Sequence, residues 1–222
     1  MKKVFFICLL LSTFFSIKAQ QLRPIRIDDS VQVSVPKEFQ RKDTLGQNIL
    51  TASTQFGSIL IVKTPDNPKQ TPDIEKKTQL DAFYADYLNK IKTSSKGSII
   101  SDERDTTINK LLYKDFTLQS DSGTGKQFRK FRIVHVNNAT YTFQYLYRDI
   151  HQEYAPEEYT AFFNSIKIPP DASVASQFTN PKDTTGSPPT TTKNRTIGLI
   201  AGGIVLILII LFVVLRRRRR ST

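Results

Sequence analysis

Residues 128–148 read FRKFRIVHVNNATYTFQYLYR, and they decide the fold. Phe128 to Val136 is one long strand-like run, Asn137-Asn138-Ala139 turns the chain, and Thr140 to Arg148 returns. In the returning run Tyr141, Phe143, Tyr145 and Tyr147 share one parity, while Thr142, Gln144, Leu146 and Arg148 take the other. Successive side chains of a strand point to opposite faces, so this pattern makes a strand with one aromatic face. Such a row either lines a pocket for an apolar or sugar-like ligand or is covered by a helix, and the second reading is preferred.

Working outward, Val31, Val33 and Val35 alternate with Ser30, Gln32 and Ser34, and Pro36 closes that strand. Leu50, Ala52, Thr54 and Phe56 alternate again, Gly57-Ser58 is read as a turn, and Ile59-Leu60-Ile61-Val62 is apolar enough for an interior strand. Leu112, Phe116 and Leu118 share a parity, and Asp121-Ser122-Gly123-Thr124-Gly125 is a turn cluster before the quoted stretch. The covering helix is sought at Leu80, Phe83, Tyr84, Tyr87, Leu88 and Ile91, which fall on one helical stripe. Thr71-Pro72-Asp73 is read as its capping start and Gly97 as its exit. Pro156 to Asn164 predicts a short second helix, with Glu157 and Glu158 near its positive end. The chain is therefore α+β, a mainly antiparallel sheet with helices packed against it.

The order of these elements resembles the PsbP-like α/β/α sandwich, including DcrB-type periplasmic proteins. The resemblance is carried by Val33-Ser34-Val35-Pro36, by Asn138-Ala139-Thr140-Tyr141 and by Phe162-Phe163-Asn164-Ser165-Ile166-Lys167-Ile168, and covers residues 30–168. It brings no catalytic motif, and by analogy it implies a non-enzymatic assembly or binding module.

The two ends of the chain read differently from its middle. Residues 1–19 have the parts of a secretory signal: Lys2 and Lys3, an apolar run from Val4 to Phe15, and Ile17-Lys18-Ala19 before Gln20. Residues 20–168 make the extracytoplasmic domain, and residues 169–195, rich in proline, serine and threonine, make a linker. Residues 196–215 make a transmembrane helix, because the uncharged run Ile197–Leu215 would span about 28 Å, close to the ~30 Å of a bilayer core. Arg216 to Arg220 lie in the tail, residues 216–222, and hold it in the cytoplasm. Gly198 and Gly202 have the spacing that lets two such helices approach closely.

The formal charge of +12 suggests a nucleic-acid binder until it is located. Lys2, Lys3 and Lys18 lie in the leader and five arginines in the tail; the other 24 basic residues face 20 acidic ones. That balance excludes nucleic acid as a partner. Cys8, the one cysteine, lies in the leader, so the exported part has no thiol for a disulfide, a metal or a nucleophile.

Other motifs dissolve on inspection. Gly123-Thr124-Gly125-Lys126 fails as a phosphate loop, since Ser120 replaces its first glycine, Gln127 replaces its Ser/Thr, and it joins two strands. His135 and His151 have no ligand-spaced neighbours; His135 is read as a strand histidine facing solvent or a partner. Asp102-Glu103-Arg104-Asp105 lacks the alternating oxygens and glycine of a calcium loop and is read as a solvated charge run. Asn138-Ala139-Thr140 and Asn194-Arg195-Thr196 match a glycosylation triplet but are discounted beside a bacterial-type leader.

No catalytic, cofactor-binding or metal residue is assigned. The expectation is a single-pass protein of the cell membrane, its domain outside the cytoplasm, acting as a binding or assembly module for a protein or envelope partner, without catalysis. Two alternatives stand beside it: a carrier or sensor for a small apolar ligand, and a surface protein whose C-terminal segment is a processed sorting signal.

Overall fold

The computed structural model describes residues 22–179, save Lys96, Ser122 and Thr124. The expected leader, transmembrane helix, arginine tail, glycine pair and second glycosylation triplet lie outside the described residues. Among those described, no helix is long and apolar enough to cross a membrane.

The quoted stretch forms the middle of the molecule. Its two halves are strands β8 (Lys126–Val136) and β9 (Ala139–Arg148), paired antiparallel from Val136↔Ala139 to Gln127↔Arg148. Asn137 and Asn138 join them with φ of 50° and 56°. Two consecutive left-handed residues make the turn whose twist suits a hairpin, and asparagine tolerates that conformation better than most residues. Around this hairpin lie β3 (Phe39–Thr44), β4 (Gln47–Ser53), β5 (Gly57–Pro65), β6 (Ile99–Ile108) and β7 (Leu111–Asp121). The seven strands run in the order β3-β4-β5-β9-β8-β7-β6, and every pairing is antiparallel. β1 (Arg23–Arg26) and β2 (Gln32–Val35) form a separate two-stranded ribbon. Helix α1 spans Lys77–Ser94 and helix α2 spans Ala155–Asn164. The α+β reading with a mainly antiparallel sheet holds.

The helices take opposite faces of the sheet. On one face α1 packs Leu80, Tyr84 and Ile91 against Phe116, Leu118, Phe131 and Ile133. On the other, Val31, Val33, Val35, Ala155 and Phe162 pack with Leu50, Ile59, Ile61, Val134 and the aromatic row Tyr141, Phe143, Tyr145 and Tyr147. This corrects the expected pairing of that row with the Leu80–Ile91 stripe: α2 and the β1–β2 ribbon cover it. The helical stripe instead meets the other parity of β9, where Tyr87 and Thr142 hydroxyls bond at 2.8 Å. Parity alone could not choose between two helices, because both bury aromatic surface equally well.

Local readings are corrected in four places. The β4–β5 turn occupies Thr54–Phe56, and Gly57 opens β5. Gly57 must lack a side chain because a Cβ there would stand 2.5 Å from the Leu146 carbonyl oxygen and 2.7 Å from the Tyr145 ring. Helix α1 starts at Lys77, beyond Thr71-Pro72-Asp73. Thr71 instead closes a turn with Asn67, and Ile74, fully buried, is held by a bond from its N–H to Thr179 Oγ1 at 2.8 Å. That anchorage keeps Lys76 extended, and Gln79 Oε1 accepts the Glu75 and Lys76 N–H groups in place of a cap. β1, β3 and β6 are strands that alternation does not reveal, since most of their side chains are exposed.

Finally, the folded domain runs past Ile168, where the linker was expected to begin. Residues 174–177 form a 3-10 turn, Asn137 N–H bonds Ser176 O at 2.8 Å, and Thr179 N–H bonds Ile74 O at 2.9 Å.

Candidate functional site

Helix α2 is ten residues long, so it covers roughly 15 Å of a sheet whose seven strands are spaced about 4.8 Å apart. It lies over β9, with Phe162 against Phe143 and Tyr159 against both Tyr145 and Tyr147. The flank toward β6 is left open. There a cleft of about 500 Å³ is bounded by Asp102, Arg104, Asp115, Thr117, Lys130 and Arg132 of the sheet and by Tyr159, Thr160, Phe163 and Asn164 of α2.

Its floor is an ion pair. Asp115 on β7 and Arg132 on β8 are directly opposed, and the guanidinium grips the carboxylate through both arms, Nε to Oδ1 at 2.9 Å and Nη2 to Oδ2 at 2.8 Å. Thr106 donates to Asp115 Oδ2 at 3.2 Å, and Arg132 lies over the Tyr113 and Phe163 rings. Burial pushes the Tyr113 phenol up to about 12. A bidentate pair of this kind, backed by a hydroxyl and two rings, is rigid before any ligand arrives.

The rim carries the remaining charges. Lys130 reaches over the Tyr159 ring at 4.9 Å, donates to Thr117 Oγ1 at 3.2 Å, and stands 3.6 Å from Asp102. Asp102 sits in a β-bulge, where the β6–β7 register shifts between Ser101 and Arg104. Its φ is 55°, a left-handed conformation, and the Thr117 hydroxyl donates to its Oδ2 at 2.8 Å. The bulge thus turns a carboxylate of the charge run toward the cleft, as bulges commonly re-aim side chains beside sites. Arg104, 68% exposed, lies 3.6 Å from Asp115.

None of these residues was assigned from the sequence. Asp102 and Arg104 belonged to the run read as solvated charge, and Asp115, Lys130 and Arg132 carried no motif. The signal that existed was weak: Lys130 and Arg132 have the parity of the aromatic row, an unexpected place for two cations on a covered face.

His135, expected to face solvent or a partner, is fully buried inside the domain. Its Nδ1 meets Gln177 O at 2.9 Å, so it carries the proton there, and Nε2 meets Asp66 Oδ2 at 2.9 Å. Burial pushes the Asp66 carboxyl up to about 6 and the His135 imidazole down to about 4. The pair is therefore most stable sharing one proton without net charge. His151 lies at the other end of β9, packed on Phe56 with ring centres 5.7 Å apart. The Gly123–Lys126 turn joins β7 to β8, as expected of a hairpin.

Among the described residues, no group of three or more His, Cys, Asp or Glu could hold a metal ion. The chain matches no family model and no curated protein. Among solved structures it is similar to the PsbP protein CyanoP of Synechocystis, at 8% identity over 69% of this chain and 96% of that one, with a TM-score of 0.46. It is similar to LpqN of Mycobacterium tuberculosis, which is involved in cell envelope biogenesis, at 10% identity over 67% and 90% of the two chains, with a TM-score of 0.41. A protein of unknown function from Pseudomonas aeruginosa is similar at 13% identity over 64% and 94%, with a TM-score of 0.38. A PsbP protein is thus among the structures found, as the resemblance read from the sequence expects.

Proposed function

We propose that this protein is a membrane-tethered extracytoplasmic module that binds a polar partner through the cleft beside α2 and does no chemistry on it. One observation carries the reading: the cleft's central charges are already committed to each other. Asp115 and Arg132 neutralise one another at bidentate distance, and such a pair is a poor proton carrier and a good fixed surface. A general acid or base works when its proton is easily exchanged. At the rim stand Lys130, Arg104 and Asp102, suited to recognising a ligand that carries both signs of charge, such as a peptide segment.

The tether comes from the sequence: a leader at one end and Ile197–Leu215 followed by five arginines at the other. An apolar-ligand carrier fits less well, because the sheet–α1 space is filled by packed side chains and the cleft is lined by charge.

The test is a photo-crosslinking residue at Thr160, exposed on α2 at the cleft wall, in intact cells making the full chain. A discrete adduct that disappears with Lys130→Ala supports the reading. Substrate turnover by the purified chain that Lys130→Ala abolishes would replace it with an enzymatic one.

A further inference from the structure

We propose that the end of the sandwich remote from Thr179 is a docking surface for a basic segment of a partner protein. Thr179 bonds Ile74, and Ser176 near it bonds Asn137 in the β8–β9 turn, so Thr179 lies at the end that carries this turn. β9 then runs ten residues from Ala139 to Arg148, roughly 30 Å at the usual rise per residue.

Exposed apolar surface concentrates at the far end of β9. Among the described residues, the exposed large hydrophobic ones are Ile99, Ile150, Tyr154 and Phe39 toward that end and Leu45 in the β3–β4 turn at the other. Ile99 shares one cross-strand row with Gln119, Phe128, Tyr147 and Gly57, the last row before the Thr54–Phe56 turn. Ile150 and Tyr154 follow Arg148 directly, and Phe39 opens β3 opposite Ala52. Phe39 and Ile99 stand apart on the two edge strands and need no explanation, but Ile150 and Tyr154 lie on one short segment with Tyr154 stacked on Phe56, and that group marks an interaction surface.

The surface is pre-formed. Tyr154 stacks on Phe56 at 5.2 Å with 26° between the rings, and His151 packs on the same Phe56. Phe56 is held from behind, since the Gln55 and Phe56 N–H groups both bond the Glu158 carboxylate at 3.2 Å. With one face on Phe56 and 54% of its surface exposed, Tyr154 offers its outer face to a partner.

Charge selects the partner's chemistry. Asp149, Glu153 and Glu157 are exposed on the segment that carries Tyr154, and Glu158 bonds Phe56. The basic residues toward this end are Arg148, Lys126 at the start of β8, Lys37 and Arg23, so the segment beside the stack is itself acidic. Aromatic faces rimmed by carboxylates attract arginine and lysine, through the ring quadrupole and through ordinary charge complementarity. This surface is separate from the cleft, which opens on the β6 flank of α2.

The test uses the full chain in neutral phosphatidylcholine nanodiscs and a short fluorescent peptide of alternating arginine and serine, with glutamate replacing arginine in the control. Anisotropy should report saturable binding of the basic peptide alone, weakening as salt rises. Tyr154→Ala should lower the affinity about fivefold, and the double change Glu153→Lys with Glu157→Lys should abolish it, each with an unchanged thermal midpoint. Equal binding of both peptides, or affinity indifferent to Tyr154→Ala, would overturn the proposal. A loss with Lys130→Ala alone would also overturn it, while leaving the cleft reading intact.

Discussion

His135 shows how a single buried residue constrains its neighbours. Tyr84 accepts the His135 N–H at 2.9 Å and donates to Leu112 O at 3.0 Å, Phe83 packs edge-on against the imidazole, and Gln177 and Asp66 hold the two ring nitrogens. The pH consequence follows from the two displaced values, about 6 for Asp66 against 3.8, and about 4 for His135 against 6.5. Between about pH 4 and 6 the folded pair binds one proton, on Asp66, and the unfolded chain also binds one, on His135. The pair's contribution is flat in that window, because stability changes with pH only where the two states differ in bound protons. Asp66→Asn removes the compensation and leaves a histidine with a depressed folded value. Its stabilisation is present above the unfolded value and is lost as pH falls from about 6.5 toward 4, on the order of 2 kcal/mol by pH 5. Urea unfolding at pH 7 and pH 5 checks this; equal losses in variant and wild type would refute it. Arg129 offers the opposite case. Its Nη1 is buried without a hydrogen-bond partner, and burial draws the guanidinium down to about 10. Arg129→Met should raise stability by on the order of 1 kcal/mol, seen as a higher thermal midpoint, since it removes a donor that has given up water and gained no partner.

At the level of elements, the segment after α2 acts as part of the sheet side. Gln177 is fully buried, and its amide copies a strand partner: Oε1 accepts Leu112 N–H at 2.8 Å, while Nε2 donates to Leu112 O at 2.9 Å and His135 O at 3.0 Å. Gln177→Ala leaves those backbone groups unpaired, so it should cost about 2–3 kcal/mol, read as a lower urea midpoint with unchanged m-value. A midpoint equal to wild type would mean that the segment is ornamental and the domain ends near Ile168. Nothing in the sequence announces this role, because a short polar segment has no period to read. By contrast β8, β9, β5 and α1 were legible: each buries one face or both, and burial imposes alternation or a helical stripe. The edge strands β3 and β6 escape that reading because solvent accepts any polar order. The start of α1 escaped because tertiary bonds to Ile74 overrode a local capping pattern. The cleft was illegible for a related reason, since Asp115 and Arg132 become partners only through the β7–β8 register.

Over the whole molecule, the sheet separates two differently covered faces, and its long axis separates two ends. One end carries Thr179; the other carries Phe56, Ile150 and Tyr154. The cleft opens sideways between them. A binding module held at one end and open at the side and tip is the arrangement expected of something displayed from a surface. This reading depends on the tether proposed from the sequence beyond residue 179, and the lone Cys8 makes the proposal directly measurable. With Thr160→Cys in the full chain, and the leader removed as proposed, one thiol remains, on the exposed side of α2. Spheroplasts treated with a membrane-impermeant maleimide should label that thiol fully before lysis, with no gain after it. Labelling that appears only once the membrane is broken would place the domain in the cytosol and contradict the account.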